Sequence, residues 1–186
     1  MVRVTWLDSE SATNQRSALL LPGAGYTAQA PLLYWTTAVL LAAGWRVCAA
    51  EWEDRDRELA SPYHLIDRAF ELYATESSGP VDLVVAKSLG SLALPRCIDE
   101  GIAGVWLTPL LNETEIARAL RSADRRHLAV GGTKDRHWIP EAVHGTDSQM
   151  IAFEGVDHAL LHEDWRVSMQ MQSDVVSAVD AHVRAL

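Results

Sequence analysis

Short runs that are apolar almost from end to end recur along this chain: "SALLLP" (17–22), "WRVCAA" (45–50), "VDLVVA" (81–86), "IAGVWL" (102–107), "HLAVGG" (127–132) and "QMIAFE" (149–154). A strand with one wet face alternates apolar and polar residues, whereas a strand covered on both faces does not. These runs therefore predict a sheet buried between two layers. "VRVTWL" (2–7) adds a candidate edge strand.

The segments between the runs carry helical periodicity and helix-end signals. Residues 61–80 offer Ser61 as N-cap, Pro62 at the first helical position, Leu65, Ile66, Ala69, Phe70 and Tyr73 along one side, and Gly79 as a stop. Asn112 followed by Glu115 has the spacing of a capping box. Val167, Met171, Val175, Val179 and Val183 repeat every four residues near the C-terminus. Pro95 falls inside the helix expected after "VVAKS" and should kink or shorten it. Strand thus alternates with helix, which predicts an α/β fold: a doubly wound, mostly parallel sheet of about six to seven strands with helices on both faces.

A chain of 186 residues fits one domain, expected over 1–186. Its formal charge of −9 argues against nucleic acid and anionic membranes as partners, because both require a basic face. Cys48 and Cys97 lie in apolar runs far apart, which reads as two buried thiols rather than a disulfide or metal site. "MVRVTWLDSE" lacks an apolar signal core, and the longest apolar run is too short to span a membrane. The expectation is a cytoplasmic protein.

Folds of this kind place ligands beyond the carboxyl ends of their strands, so the loops after the strands hold the chemistry. "AKSLG" (86–90) fits G-x-S-x-G with Ala86 in place of the first glycine, and it lies between a predicted strand and a predicted helix. Small flanking residues let the backbone turn sharply and expose the serine hydroxyl. A serine hydroxyl is a weak nucleophile until a histidine takes its proton, and the histidine needs a carboxylate to fix its tautomer. Asp135 follows "HLAVGG" and His158 follows "QMIAFE". The order Ser88, Asp135, His158 sets each of the three on a loop just after a strand.

With those loops the chain resembles the α/β-hydrolases, from "LLLPGAGY" to the final helix. The resemblance implies a catalytic triad of Ser88 as nucleophile, His158 as general base and acid, and Asp135 as orienting carboxylate. It also implies an oxyanion hole from backbone N–H groups, for which Ala24 and Leu89 are the candidates; Pro22 departs from the histidine often found in that loop. Rival acids are Glu113 and Asp157, and rival bases are His137 and His162. Tyr26, Leu110, Leu111 and Trp138 are candidate walls of the substrate site, and Lys87 is expected to be a solvated side chain. No cofactor and no metal is expected.

The activity implied is that of a serine esterase or thioesterase acting on a small-molecule substrate. Only residues 109–126 separate two strands where lipid-directed relatives insert a lid, so a lidless, open site is expected. Two other classes compete with this one. "PGAG" and "GTKD" lack the spacing of a phosphate loop or dinucleotide fingerprint, which argues against nucleotide binding. A non-catalytic binding module on the same fold, or a lyase or perhydrolase using the same triad, remains an alternative.

Overall fold

The computed structural model describes residues 1–7, 16–52, 61–77 and 79–186. Seven strands form one sheet: β1 (Arg3–Trp6), β2 (Ser17–Leu21), β3 (Arg46–Glu51), β4 (Leu83–Lys87), β5 (Ala103–Leu107), β6 (His127–Gly132) and β7 (Gln149–Phe153). They lie in the order β1-β3-β2-β4-β5-β6-β7, and every pairing is parallel except that of β1 with β3. All six apolar runs form strands. The edge candidate at 2–7 forms the antiparallel β1.

Among the described residues, five α-helices cover the sheet: α1 (Pro31–Ala42), α2 (Pro62–Glu76), α3 (Leu94–Glu100), α4 (Thr114–Arg121) and α5 (Trp165–Ala185). Alternate strand residues face opposite layers, as the two-residue period of a strand demands. Leu19, Leu21, Val84, Ala86 and Trp106 pack in one cluster with Leu65, Phe70, Leu94 and Ile116 of α2, α3 and α4. Ala18, Leu20, Val85, Val105 and Val130 face the other way and pack against Leu33, Leu40, Val175 and Val179 of α1 and α5. Burial of both faces is why these strands lack polar alternation.

Helix ends depart from expectation more than strands do. Pro62 does stand in the first turn of α2, but Ser61 makes no side-chain capping bond, and the helix stops at Glu76, before Gly79. Asn112 does not cap α4; Glu113 holds that position without a side-chain bond. The Asn112 Oδ1 instead meets the Nδ1 of His137 at 2.7 Å, so a tertiary partner has displaced the local one. Pro95 acts as expected: residues Ser88–Ala93 form a 3-10 helix, and the α-helix begins only at Leu94 with the proline in its first turn. Among the described residues, no helix is long and apolar enough to cross a membrane.

Candidate active site

Ser88 directly follows β4 and has φ 48°, a left-handed conformation that costs a residue with a side chain roughly 1–3 kcal/mol. Small neighbours make the turn possible. A Cβ on Gly90 would lie 2.2 Å from the Leu21 carbonyl oxygen, so only glycine lets the start of the 3-10 helix pass the end of β2. Ala86 is fully buried within β4, and its methyl sits in the core without obstructing the turn.

The side chain of His158 bridges the other two triad candidates. Its Nε2 lies 2.7 Å from Ser88 Oγ, and its Nδ1 lies 2.7 Å from Asp135 Oδ2. Asp135 is 4% exposed, and its other oxygen, Oδ1, accepts the backbone N–H of His137 at 2.9 Å. Burial by itself pushes the Asp135 carboxyl up, but the hydrogen bonds from His158 and the His137 N–H outweigh it and leave the group below its ordinary value. The carboxylate therefore stays charged against the imidazole. The three residues expected from the strand-end loops are thus brought into one hydrogen-bonded line.

The rival residues have other partners. Asp157 Oδ1 accepts the N–H groups of Ala159 and Leu161, folding the loop that carries His158. Glu113 is exposed and accepts from Asn112 Nδ2 at 3.3 Å. His162 Nδ1 accepts the Asp164 N–H. His137 stands on the rim, its ring centroid 4.9 Å from that of His158, with Arg136 Nε donating to its Nε2 at 3.1 Å. Ligating atoms of Asp135, His137 and His158 lie within 4.8 Å of one another, but the hydrogen bonds just described already engage each of them.

The loop after β2 runs beside the serine: a Cβ on Gly23 would be 3.4 Å from Ser88 Cβ. Ala24 is exposed there, and among the described residues its N–H makes no backbone bond. Leu89 lies in the first turn of the 3-10 helix, where N–H groups have no intrahelical acceptor. Leu89 thus adjoins Ser88 in the chain, and Ala24 follows the glycine that lies beside it.

The expected walls divide. Tyr26 is half-buried, and its hydroxyl accepts the Leu32 N–H at 3.1 Å. Leu110 is half-buried too, its N–H held by the Oγ of fully buried Ser91 at 3.1 Å. Leu111 and Trp138, at 2% and 8% exposure, pack into the core cluster. Trp138 lies against Gly131, where a Cβ would fall 2.1 Å from its ring. A cavity of about 180 Å³ adjoins the loop and is lined by Arg3, Pro22, Tyr26, Glu51 and Trp52 among others. Arg3 and Trp52 escape a sequence reading because β1 and the end of β3 are remote from the triad loops. A larger cavity, about 350 Å³, lies between α1 and α5 around Trp35, Met169 and Val176, and none of Ser88, Asp135 and His158 lines it.

Lys87 is a correction. It is 4% exposed, not solvated: its Nζ donates to the His158 carbonyl at 3.0 Å and to Thr108 Oγ1 at 3.1 Å. The reason is its position on a central strand, where both faces are covered. Ala86 faces one layer and Lys87 must face the other.

No family model matches the chain, and no curated protein matches it. Solved structures do. The α/β-hydrolase domain-containing protein 10 from mouse superposes with TM-score 0.71 over 99% of this chain and 94% of its own, at 10% identity. An α/β serine hydrolase homologue from Coxiella burnetii gives TM-score 0.68 over 95% and 91%, at 11% identity. An α/β serine hydrolase without a lid from Xanthomonas campestris gives 0.66 over 99% and 88%, at 14% identity. The chain has the α/β-hydrolase fold, and its connection between β5 and β6 holds a single eight-residue helix, as the short span anticipated.

Proposed function

We propose that this protein is a serine hydrolase that cleaves an ester or thioester of a small, accessible substrate through an acyl-enzyme. The observation that carries the reading is the line from Ser88 Oγ through the His158 ring to Asp135, 2.7 Å at each step, with the serine on a positive-φ turn. Asp135 accepts Nδ1–H, which leaves Nε2 as the free lone pair facing the hydroxyl. Ser88 Oγ attacks the carbonyl carbon as its proton moves to His158 Nε2. The oxyanion so formed is met by the Ala24 and Leu89 N–H groups. Collapse expels an alcohol or thiol, which takes the proton from Nε2–H. A water, deprotonated by the same nitrogen, then attacks the acyl-enzyme and releases the acid.

An open site favours short or exposed acyl groups. The β5–β6 connection holds one helix of eight residues, which is committed to the sheet face by Ile116, Ala117, Ala119 and Leu120. The test is covalent labelling by a fluorophosphonate, read by intact mass. An activated serine forms a single adduct with loss of fluoride, whereas a serine that only starts a helix does not. We expect one adduct on the wild type and none on Ser88→Ala. Folded wild-type protein that takes no adduct, or an adduct that survives Ser88→Ala, rules the reading out.

A further inference from the structure

Lys87 has no part in the proposed chemistry, yet it is the residue before the nucleophile and is buried with a charge. A buried ammonium is costly unless its donors are satisfied, and an apolar residue of the same length would fill the space at less cost. What it touches is therefore informative. Its Nζ reaches across the end of β5 to Thr108 Oγ1 and on to the main-chain carbonyl of His158. The face of Tyr26 lies on a further side, with Nζ 5.0 Å from the ring centroid.

Three residues other than glycine have positive φ among the described residues: Ser88, Thr108 and Leu160. Ser88 adjoins Lys87 in sequence, Thr108 accepts from it, and Leu160 lies two residues beyond its other acceptor. Strained backbone persists only where the surroundings over-determine it. One ammonium thus links the turn that bears the nucleophile, the end of β5 and the loop that bears the general base.

We propose that Lys87 is a positioning residue, a buried cross-tie that holds the His158 carbonyl and thereby sets the imidazole on Ser88. The inference rests on the serine-hydrolase reading for its consequence in activity, but the tie itself can be seen without turnover. Holding His158 by its own main chain fixes the ring at its root, while Asp135 fixes it at Nδ1. Asp135 alone would leave the ring free to swing about that bond. A shift of about 1 Å in a reacting group can cost roughly 100-fold in rate.

The charge on Lys87 has its own limit. Burial pushes its ammonium down to about 8, against the pull of Asp135 and Asp157. The groups facing Nζ are Tyr26 after β2, Thr108 after β5, Asp135 after β6, and Asp157 with the His158 carbonyl after β7. Losing the proton above that pH removes the charge and one donor, so the tie weakens on the alkaline side.

The experiment compares wild type with Lys87→Met, which keeps the length and removes the donors. Two readouts are taken on the whole chain: the low-field proton resonance of His158 Nδ1–H against Asp135, and the rate of fluorophosphonate labelling at Ser88. We expect a folded Lys87→Met protein to lose the low-field proton and to label about 10- to 100-fold more slowly, with a rate that no longer falls on the alkaline side. A folded variant that keeps either the proton or a labelling rate within about twofold overturns the inference, as does a wild type with no such proton. A wild type that takes no label but shows the proton, lost in Lys87→Met, sinks the hydrolase reading and leaves the tie standing. If Lys87→Met does not fold, wild type decides alone: proton and rate should decline together between about pH 7 and 9.5, and a flat profile overturns the inference.

Discussion

Replacing Asp135 by asparagine exchanges one oxygen for an amide nitrogen and should remove nearly all activity. The reason lies in how the carboxylate is held. Oδ1 accepts the His137 backbone N–H at 2.9 Å and Oδ2 accepts His158 Nδ1–H at 2.7 Å. An asparagine must place its carbonyl oxygen against the His137 N–H, because its amide donors would meet that N–H head on. The amide –NH₂ then faces His158 Nδ1, where a donor meets a donor. The ring can recover the contact only by moving its proton to Nε2, and an Nε2–H facing Ser88 cannot accept the hydroxyl proton. In a serine protease with the same three groups this substitution costs about 10⁴ in turnover, or roughly 5.5 kcal/mol of barrier at about 1.36 kcal/mol per tenfold. The same order is expected here. Turnover of a short activated ester by Asp135→Asn, alongside Glu113→Gln and with thermal unfolding to check the fold, measures it. Glu113 is exposed and, among the described residues, its side chain bonds only its sequence neighbour Asn112, so its variant should match wild type. Activity of folded Asp135→Asn within about tenfold of wild type would refute the tautomer reasoning; reversed effects would move the acid to Glu113.

Gly90→Ala should lower stability by about 1–3 kcal/mol in urea unfolding, because the new methyl would fall 2.2 Å and 2.8 Å from the Leu21 carbonyl oxygen and carbon, which are backbone and cannot step aside alone. Unchanged stability would mean that the elbow does not pass β2 so closely. His127 is buried, with Nδ1 accepting the Trp106 Nε1–H at 3.2 Å, and burial pushes its pKa down to about 4. The unfolded chain then binds a proton that the folded one refuses, so stability is full above about pH 6.5 and falls by roughly 3 kcal/mol as pH drops to about 4. In urea unfolding between those pH values, His127→Asn should remove that part of the slope; an identical slope would refute it.

Strands are legible where helix ends are not, and the difference is physical. A run such as "DLVVA" has no polar face to offer in either register, so only a doubly covered strand suits it. A capping signal is a local preference that one tertiary contact can outbid. Asn112 shows this, since its oxygen serves His137 across the loop instead of the first turn of α4. The line of Ser88, His158 and Asp135 is legible because each member follows a strand, and parallel neighbours bring their carboxyl ends to one edge. Lys87 is misread by the general rule that lysines are solvated. The signal against that rule is in the sequence: a lysine ending an unbroken apolar run on a central strand has no route to water on either side. The cavity walls Arg3 and Trp52 have no such signal, because their approach to the loop after β2 depends on the sheet order β1-β3-β2.

On the proposed function, that sheet order also says where selection of a substrate acts. On the β5–β6 side, α4 buries its apolar face in the layer that holds Leu94 and Trp106. Across β4 from it, the loop after β2 brings Gly23 against Ser88 and opens onto the cavity formed with β1 and the end of β3. Trp52 Nε1 reaches the Gly23 carbonyl at 3.4 Å, so one wall of that cavity is tied to the stretch of backbone that carries the Ala24 N–H. A group bound in the cavity would press on Tyr26, whose ring also covers Lys87. If the proposed roles of Ala24 and Lys87 hold, occupancy of the cavity, placement of the oxyanion donor and support of His158 converge on residues 22–26, and changes in that loop should alter selectivity and rate together.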